Sequence, residues 1–275
     1  MGRGYYMAAG YNVLEVAIWG SEARLYGCHN DVLDVERIVS EYGYGYQEVM
    51  RDTQGRLINV LRRMRYLAET ARAGDTVVLF FSGHGTQIPL SGSDFEQSGF
   101  DQALCVSDGL LSDDRIWSQL LRFKTDVLVI MLVDTCFSGS MARFVNISQE
   151  IGEPFRAKVL DPFLTLRYLG ENPAWRRQND EYGVRGAAVS GKVANEAQAT
   201  IIQLAAGRDT ETVLDGRRNG LFTEKLLKHV MVAPSWNDLQ RRIAAETAPR
   251  GQTPVLTPYG KATARDLERK PLVLA

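Results

Sequence analysis

A cysteine and a histidine stand at positions suited to a nucleophile and its base. Seven apolar residues, Val127 to Val133, run directly into Asp134, Thr135, Cys136, Phe137, Ser138 and Gly139. Earlier in the chain, Thr76 to Phe81 (TVVLFF) runs into Ser82, Gly83, His84 and Gly85. With three histidines and three cysteines in 275 residues, one of each just past two equivalent apolar runs forms a pattern. A free thiol ionises at about pH 8.5, and the thiolate is the nucleophile. A neighbouring imidazole raises the thiolate fraction and can later protonate a leaving amine. The tetrahedral oxyanion formed on the way needs preorganised N–H donors. The amides of Gly85 and Cys136 are the natural ones, since glycine lets backbone approach closely. No residue makes a strong case as a third, orienting member. The competing readings are a buried, inert Cys136 and a His84 bonded within its loop; the pair argues against both together.

Positioning such a pair requires two strands that end side by side. A run of apolar residues rich in Val and Ile, closed by polar residues and glycine, reads as a strand buried on both faces. In an open parallel sheet, ligands and chemistry collect at the carboxyl ends of the strands. In chain order the pattern predicts a strand over Asn12 to Trp19, then a loop, Gly27 to Asp31, with Asn30 or Asp31 capping a helix through Val32, Val35, Ile38 and Val39. A short strand over Gln47 to Met50 and an amphipathic helix through Leu57, Val60, Leu61, Met64 and Leu67 follow. Then come the His-bearing strand, a polar loop over Gln87 to Phe100, a short strand over Ala103 to Val106 and an acidic turn over Ser107 to Asp114. A helix over Ile116 to Phe123 leads into the Cys-bearing strand. Met141 to Ala199 lacks sustained periodicity and reads as an excursion or mobile loop. Thr200 to Ala206 is a further buried strand, Leu221 to Val230 and Trp236 to Glu246 are helices, and Pro254 to Thr257 is an edge strand. Alternating strands and helices with short connections predict an α/β fold of three layers, with a mostly parallel sheet between helices.

Composition removes other classes. Hydrophobic residues make up 45% of the chain, enough for a large core, and 32 basic against 33 acidic residues leave a net charge of −1. No global field favours nucleic acid or an anionic membrane. No apolar stretch approaches the length of a transmembrane helix, and the N-terminus lacks the apolar core of a secretory signal. Gly2 is followed by Tyr6 where a myristoylation signal has Ser or Thr. An odd number of widely spaced cysteines points to a reducing compartment, so a soluble cytoplasmic protein is expected. Neither a Walker A nor a G-x-G-x-x-G pattern occurs. No repeat or second hydrophobic core is visible, so residues 1–275 read as one domain. It divides into 1–140 with the His and Cys, an irregular loop over 141–199 that is a candidate processing region, and 200–275.

The motifs resemble those of a known family. FFSGHGTQIP (Phe80 to Pro89) and DTCFSGS (Asp134 to Ser140) look like the His and Cys motifs of caspase-like peptidases, most closely the metacaspases and their bacterial relatives, the orthocaspases. The 52 residues between His84 and Cys136 are close to the separation of about 50 in caspases. Gly27 to Asp31 resembles the GC-x-ND motif, and Phe100 to Gly109 with Asp113-Asp114 resembles the segment DE-A-L-C-P-x-D…DD. Ile201 to Gly216, Asn219 to Leu227 and Gly251 to Thr257 resemble the C-terminal subunit. The likeness spans about Val13 to Thr257 and implies a caspase-like fold with a sheet of about six strands. It also implies a Cys136–His84 dyad and an S1 pocket of Cys28, Asp31, Ser82 and Asp134.

Two carboxylates in such a pocket select a cationic Arg or Lys and repel the Asp that animal caspases require. The resemblance also suggests Ca²⁺ as an activator, held by Asp101, Asp113 and Asp114. Against this, Gln102 replaces a Glu, the intervening segment is short, and Arg143 stands where a further aspartate is expected. Arg156, Lys158, Arg167, Arg176, Arg177, Arg185 and Lys192 offer cut sites in the segment after Cys136, so a zymogen activated by autocleavage is expected. The family suggests a monomer acting on protein substrates, with no nucleic acid or membrane partner and no cofactor for the chemistry. The alternatives are a dedicated defence or cell-death effector with one protein target, and a non-proteolytic scaffold.

Overall fold

The computed structural model describes residues 2–89, 100–137, 155–175 and 196–274. Its first strand is β1, Gly4–Gly10, wholly buried between two neighbours. The strand expected over Asn12 to Trp19 does not form; Val16–Trp19 is a single helical turn, α1. Sequence pattern misleads here because GYYMAAG carries no β-branched residue, while VAIW does. Position in the fold decides instead: Val16 is exposed, and only Trp19 of the turn is buried, its indole N–H donating to the Ser107 carbonyl at 3.1 Å.

Helix α2, Cys28–Glu41, begins a turn earlier than predicted, with Gly27 as its N-cap. Asp31 therefore lies inside the first turn, and its carboxylate is left for other partners. β2 (Tyr46–Arg51), α3 (Leu57–Thr70) and β3 (Thr76–Ser82) follow close to expectation. The segment after the histidine is not a plain loop but β4 (Gly85–Pro89), which pairs with β5 (Phe100–Val106); residues 90–99 lie outside the described part. The acidic turn is a hairpin to β6 (Gly109–Ser112), and α4 starts at Asp113 and runs to Leu120. β7, Leu128–Asp134, is the Cys-bearing strand.

Of the irregular region, residues 155–175 and 196–199 are described, and they hold a two-residue strand, β8 (Arg156–Ala157), and α5 (Pro162–Glu171). Asp161 caps α5 by accepting from the Phe163 N–H at 2.9 Å, and Pro162 opens it. The chain closes with β9 (Thr200–Ala205), β10 (Leu214–Asp215), α6 (Leu221–His229), α7 (Trp236–Thr247), β11 (Val255–Gly260) and α8 (Ala264–Leu267).

Six strands form the main sheet in the order β11-β9-β7-β3-β1-β2, all parallel except β11, which runs antiparallel to β9. Side chains alternate across it. Val77, Leu79, Phe81, Val129, Met131 and Val133 face one core with α3 and α4, while Val78, Phe80, Ile130 and Leu132 face another with α2, α6 and α7. Register sets the site. Ser82 pairs with Asp134 across β3 and β7, so His84 and Cys136, each two residues further on, leave the sheet at the same level.

Candidate active site

Both strand ends open onto a buried cluster of charge. Asp31, from the first turn of α2, and Asp134, from the end of β7, are fully buried. Asp215, from β10, joins them, and the ammonium of Lys158 stands among the three, 3.0 Å from Asp31 and Asp134 and 3.9 Å from Asp215. Ser82 donates to Asp31 at 2.7 Å and receives the Lys158 ammonium at 2.9 Å. Asn219 and the Gly220 N–H donate to the other Asp31 oxygen at 3.1 and 2.9 Å. Thr223 donates to Asp134 at 2.6 Å, and the backbone of Tyr26 holds Asp215 at 2.7 Å. A Cβ at Gly220 would lie 2.5 Å from both Asp134 Oδ2 and Lys158 Nζ, so glycine is required there for the cation to reach the acids.

Burial and charge compete in this cluster. Burial lifts the Asp134 carboxyl to about 6, against the opposing pull of Lys158. Asp215 is raised in the same way. Burial alone would lower Lys158, yet Asp134, Asp31, Cys28 and Asp215 carry it well above its ordinary value, so it is charged. Burial pushes the Cys28 thiol well up, which makes Cys28 a neutral wall of the pocket.

The backbone of Lys158 is held as firmly as its side chain. Its carbonyl oxygen accepts from the Gly85 N–H at 3.0 Å and from the Cys136 N–H at 3.3 Å, while its own N–H donates to the Val213 carbonyl at 2.9 Å. One residue earlier, Ala157 pairs with Leu214 as β8 lies antiparallel on β10. One residue later, Val159 bridges Gly85, and the Leu160 N–H donates to the Gly85 carbonyl at 2.9 Å. A Cβ at Gly85 would run into the Cys136 carbonyl oxygen, so glycine is needed for this approach. The extended segment 156–160 thus crosses the strand ends with one carbonyl on two converging N–H groups, the arrangement that stabilises a developing oxyanion.

His84 is buried beside this segment. Burial drives its imidazole down to about 4, partly offset by the backbone of Ala23 and Val159, so the ring is neutral near pH 7. Val159 supplies the nitrogen of the bond that follows the held carbonyl. Cys136 is buried, with its Sγ 3.3 Å from the Glu211 carbonyl.

The structure therefore gathers His84, Gly85, Cys136, Cys28, Asp31, Ser82 and Asp134 in one place. It adds Lys158, Asp215, Asn219, Gly220 and Thr223. Asp101 lies on β5, and Asp113 and Asp114 open α4 directly after Ser112, which pairs with Ala103 of β5. Among the described residues, the group of three ligands whose atoms all lie within 4.8 Å of one another is Cys28, Asp31 and Asp215. That group already neutralises a lysine. Arg143, Arg176, Arg177, Arg185 and Lys192 lie outside the described residues. No helix among the described residues is long and apolar enough to cross a membrane.

Comparison with known proteins agrees with this geometry. The family described as metacaspase, peptidase C14 domain matches residues 12–144. Metacaspase-6 of Arabidopsis thaliana is 28% identical over 148 residues, covering 50% of this chain and 40% of that protein. Metacaspase-1B of Aspergillus niger is 25% identical over 251 residues, covering 80% of this chain and 57% of that one. The chain thus spans between two fifths and three fifths of the length of these relatives. Among solved structures, a protein from Geobacter sulfurreducens shares the fold with a TM-score of 0.86 at 23% identity over 99% of both chains. Caspase-1 from Spodoptera frugiperda shares it with a TM-score of 0.55 at 11% identity, over 95% of this chain and 88% of that one. Over residues 12–144 the chain is thus similar to the metacaspase, peptidase C14 domain, and it shares its fold with a caspase.

Proposed function

We propose that this protein is a cysteine endopeptidase that cuts after lysine or arginine, and that its first substrate is its own Lys158–Val159 bond. One observation carries the reading. The Lys158 side chain fills the acidic pocket while its carbonyl accepts from the Gly85 and Cys136 N–H groups. A specificity pocket and an oxyanion site filled by one residue is the arrangement of a bound substrate.

The step balances as follows. The Cys136 thiol loses its proton to neutral His84, and Sγ attacks the Lys158 carbonyl carbon. The oxyanion forms between Gly85 and Cys136. His84 then gives its proton to the Val159 nitrogen, the C–N bond breaks, and Lys158 remains as a thioester on Cys136. Water, deprotonated by His84, releases Lys158 as a carboxylate and restores the thiol. The nicked loop can then vacate the pocket for the lysine or arginine of another protein. Asp31, Asp134 and Asp215 together outnumber the single cation they hold, which favours a basic residue over an acidic one at that place.

The test is intact-mass and N-terminal analysis of the wild type beside Cys136→Ala, followed by cleavage of peptides ending in Lys, Arg or Asp, with and without Ca²⁺. The expected result is a fragment beginning at Val159 in the wild type alone, with cleavage after Lys and Arg but not Asp. An uncut wild type that cleaves none of these peptides under either condition would sink the proposal.

A further inference from the structure

The segment in the site extends on both sides of the residue whose carbonyl is held, and each flanking side chain has a defined partner. Arg156 lays its guanidinium over the Tyr26 ring, 4.7 Å from the centroid, and donates to the Arg24 carbonyl at 3.3 Å. The Arg24 guanidinium lies 5.8 Å from the same ring. Phe155 presents its ring to the Arg250 guanidinium at 4.6 Å. That ring rests against bare backbone, since a Cβ at Gly216 would meet its edge at 3.6 Å. Ala157 is half-buried against β10, and Val159 and Leu160 are buried. Tyr26 and Arg250 belong to different parts of the chain, and nothing in the chemistry described above uses either side chain.

We infer that Tyr26 and Arg250 are specificity determinants, forming a platform for a cation two residues before the cut lysine and a platform for an aromatic ring three residues before it. Resting on the reading above, this names the substrate class: peptides in which an aromatic residue, a cation, a small residue and a lysine precede the cut, as in Phe155-Arg156-Ala157-Lys158. Tyr26 is 40% exposed, so its ring face is open to an incoming chain once segment 155–158 has left. Its link to the pocket runs through the backbone, where the Tyr26 N–H donates to Asp215, and a side-chain substitution leaves that bond in place. A cation over an exposed ring contributes about 0.5–1 kcal/mol, which converts to roughly two- to five-fold in kcat/KM.

The experiment uses internally quenched peptides of the sequence Phe-Arg-Ala-Lys-Val-Leu with Arg, Ala or Glu at the second position, and a control with Glu in place of Lys. Each is given to the wild-type chain, Tyr26→Ala, Tyr26→Phe and Cys136→Ala. The wild type should prefer Arg over Ala at the second position by two- to five-fold, with Glu slowest. Tyr26→Phe should keep that preference, whereas Tyr26→Ala should bring it to about one. A further peptide with Ala in place of Phe, given with its parent to the wild type and to Arg250→Ala, should show a preference for Phe in the wild type that Arg250→Ala loses; an equal preference in both overturns the Arg250 platform. A wild type indifferent to the second position, or an equal preference in Tyr26→Ala, overturns the platform while leaving lysine selection standing. Cleavage of the Glu control, or of none of the peptides, overturns the underlying reading and this one with it.

Discussion

Replacing Lys158 by methionine in a Cys136→Ala chain isolates what the lysine does for the folded state. The ammonium lies 3.0 Å from the Asp31 and Asp134 carboxylates and 3.9 Å from Asp215, with all four side chains out of solvent. Methionine matches the aliphatic stem but leaves the carboxylates with no cation. Breaking a buried pair by removing one partner costs about 3–5 kcal/mol. At about 2–4 °C per kcal/mol in a domain of this size, the thermal midpoint should fall by roughly 6 to 20 °C. The loss has a pH signature. Asp134 already sits at about 6 because of burial, and losing Lys158, which pulls it down, raises it further. A carboxyl whose pKa is higher folded than unfolded takes up a proton on folding, so its cost is full above the folded value and disappears as pH falls to the unfolded one. The deficit of Lys158→Met should therefore be largest at pH 8 and shrink towards pH 4. In the active chain the same substitution should abolish the fragment beginning at Val159, while Lys158→Arg keeps the charge and should preserve it. Calorimetry across pH 4 to 8 reads the first effect and intact mass the second. A Lys158→Met chain as stable as its parent at pH 8, or a deficit that grows on acidification, would refute the argument that three buried acids depend on this cation.

Other parts of the site make separate commitments. Gly85→Ala places a methyl group against the Cys136 carbonyl and displaces one of the two N–H donors. The single-turnover rate of self-cleavage should drop by about 10²–10³ with the circular dichroism unchanged, and a drop below three-fold would remove Gly85 from the oxyanion site. Thr223→Val deletes the 2.6 Å donor to Asp134 and so raises its pKa. The acid limb of lysine-peptide cleavage should move to higher pH by about one unit, as loss of a hydrogen bond to a charged group implies; an unmoved limb would separate Asp134 from substrate binding. For His84 the sign is opposite to that of Asp134. Burial lowers its pKa from 6.5 to about 4, so its neutral form contributes stability that is full above pH 6.5 and lost as pH falls towards 4. Between those limits a Cys136→Ala chain should lose about 3 kcal/mol relative to the same chain carrying His84→Gln, as followed by urea unfolding, and a constant difference would contradict the buried, neutral ring.

What could be read from the sequence and what could not divide along a physical line. His84 and Cys136 were legible because β3 and β7 are continuous apolar runs buried on both faces, and a strand of that kind announces its own end. The register that pairs Ser82 with Asp134 then brings both residues to one level without further information. β1 was hidden because its burial comes from neighbours on both sides rather than from β-branched side chains of its own. Lys158 stood among seven basic residues as one candidate cut site, and local pattern could not single it out. Its place depends on β8 meeting β10, two strands of two residues each that carry no periodicity and exist only through each other. Asp215 was missed for the same reason, being brought to Gly27 and Lys158 from the far end of the chain. Asp101, Asp113 and Asp114 are close in sequence, and the hairpin of β5 and β6 sets the start of one beside the end of the other. Chemistry at the ends of regular elements can thus be read from one strand at a time. The residue that fills the pocket is fixed only when distant segments meet, and in this protein that meeting places a lysine among three acids.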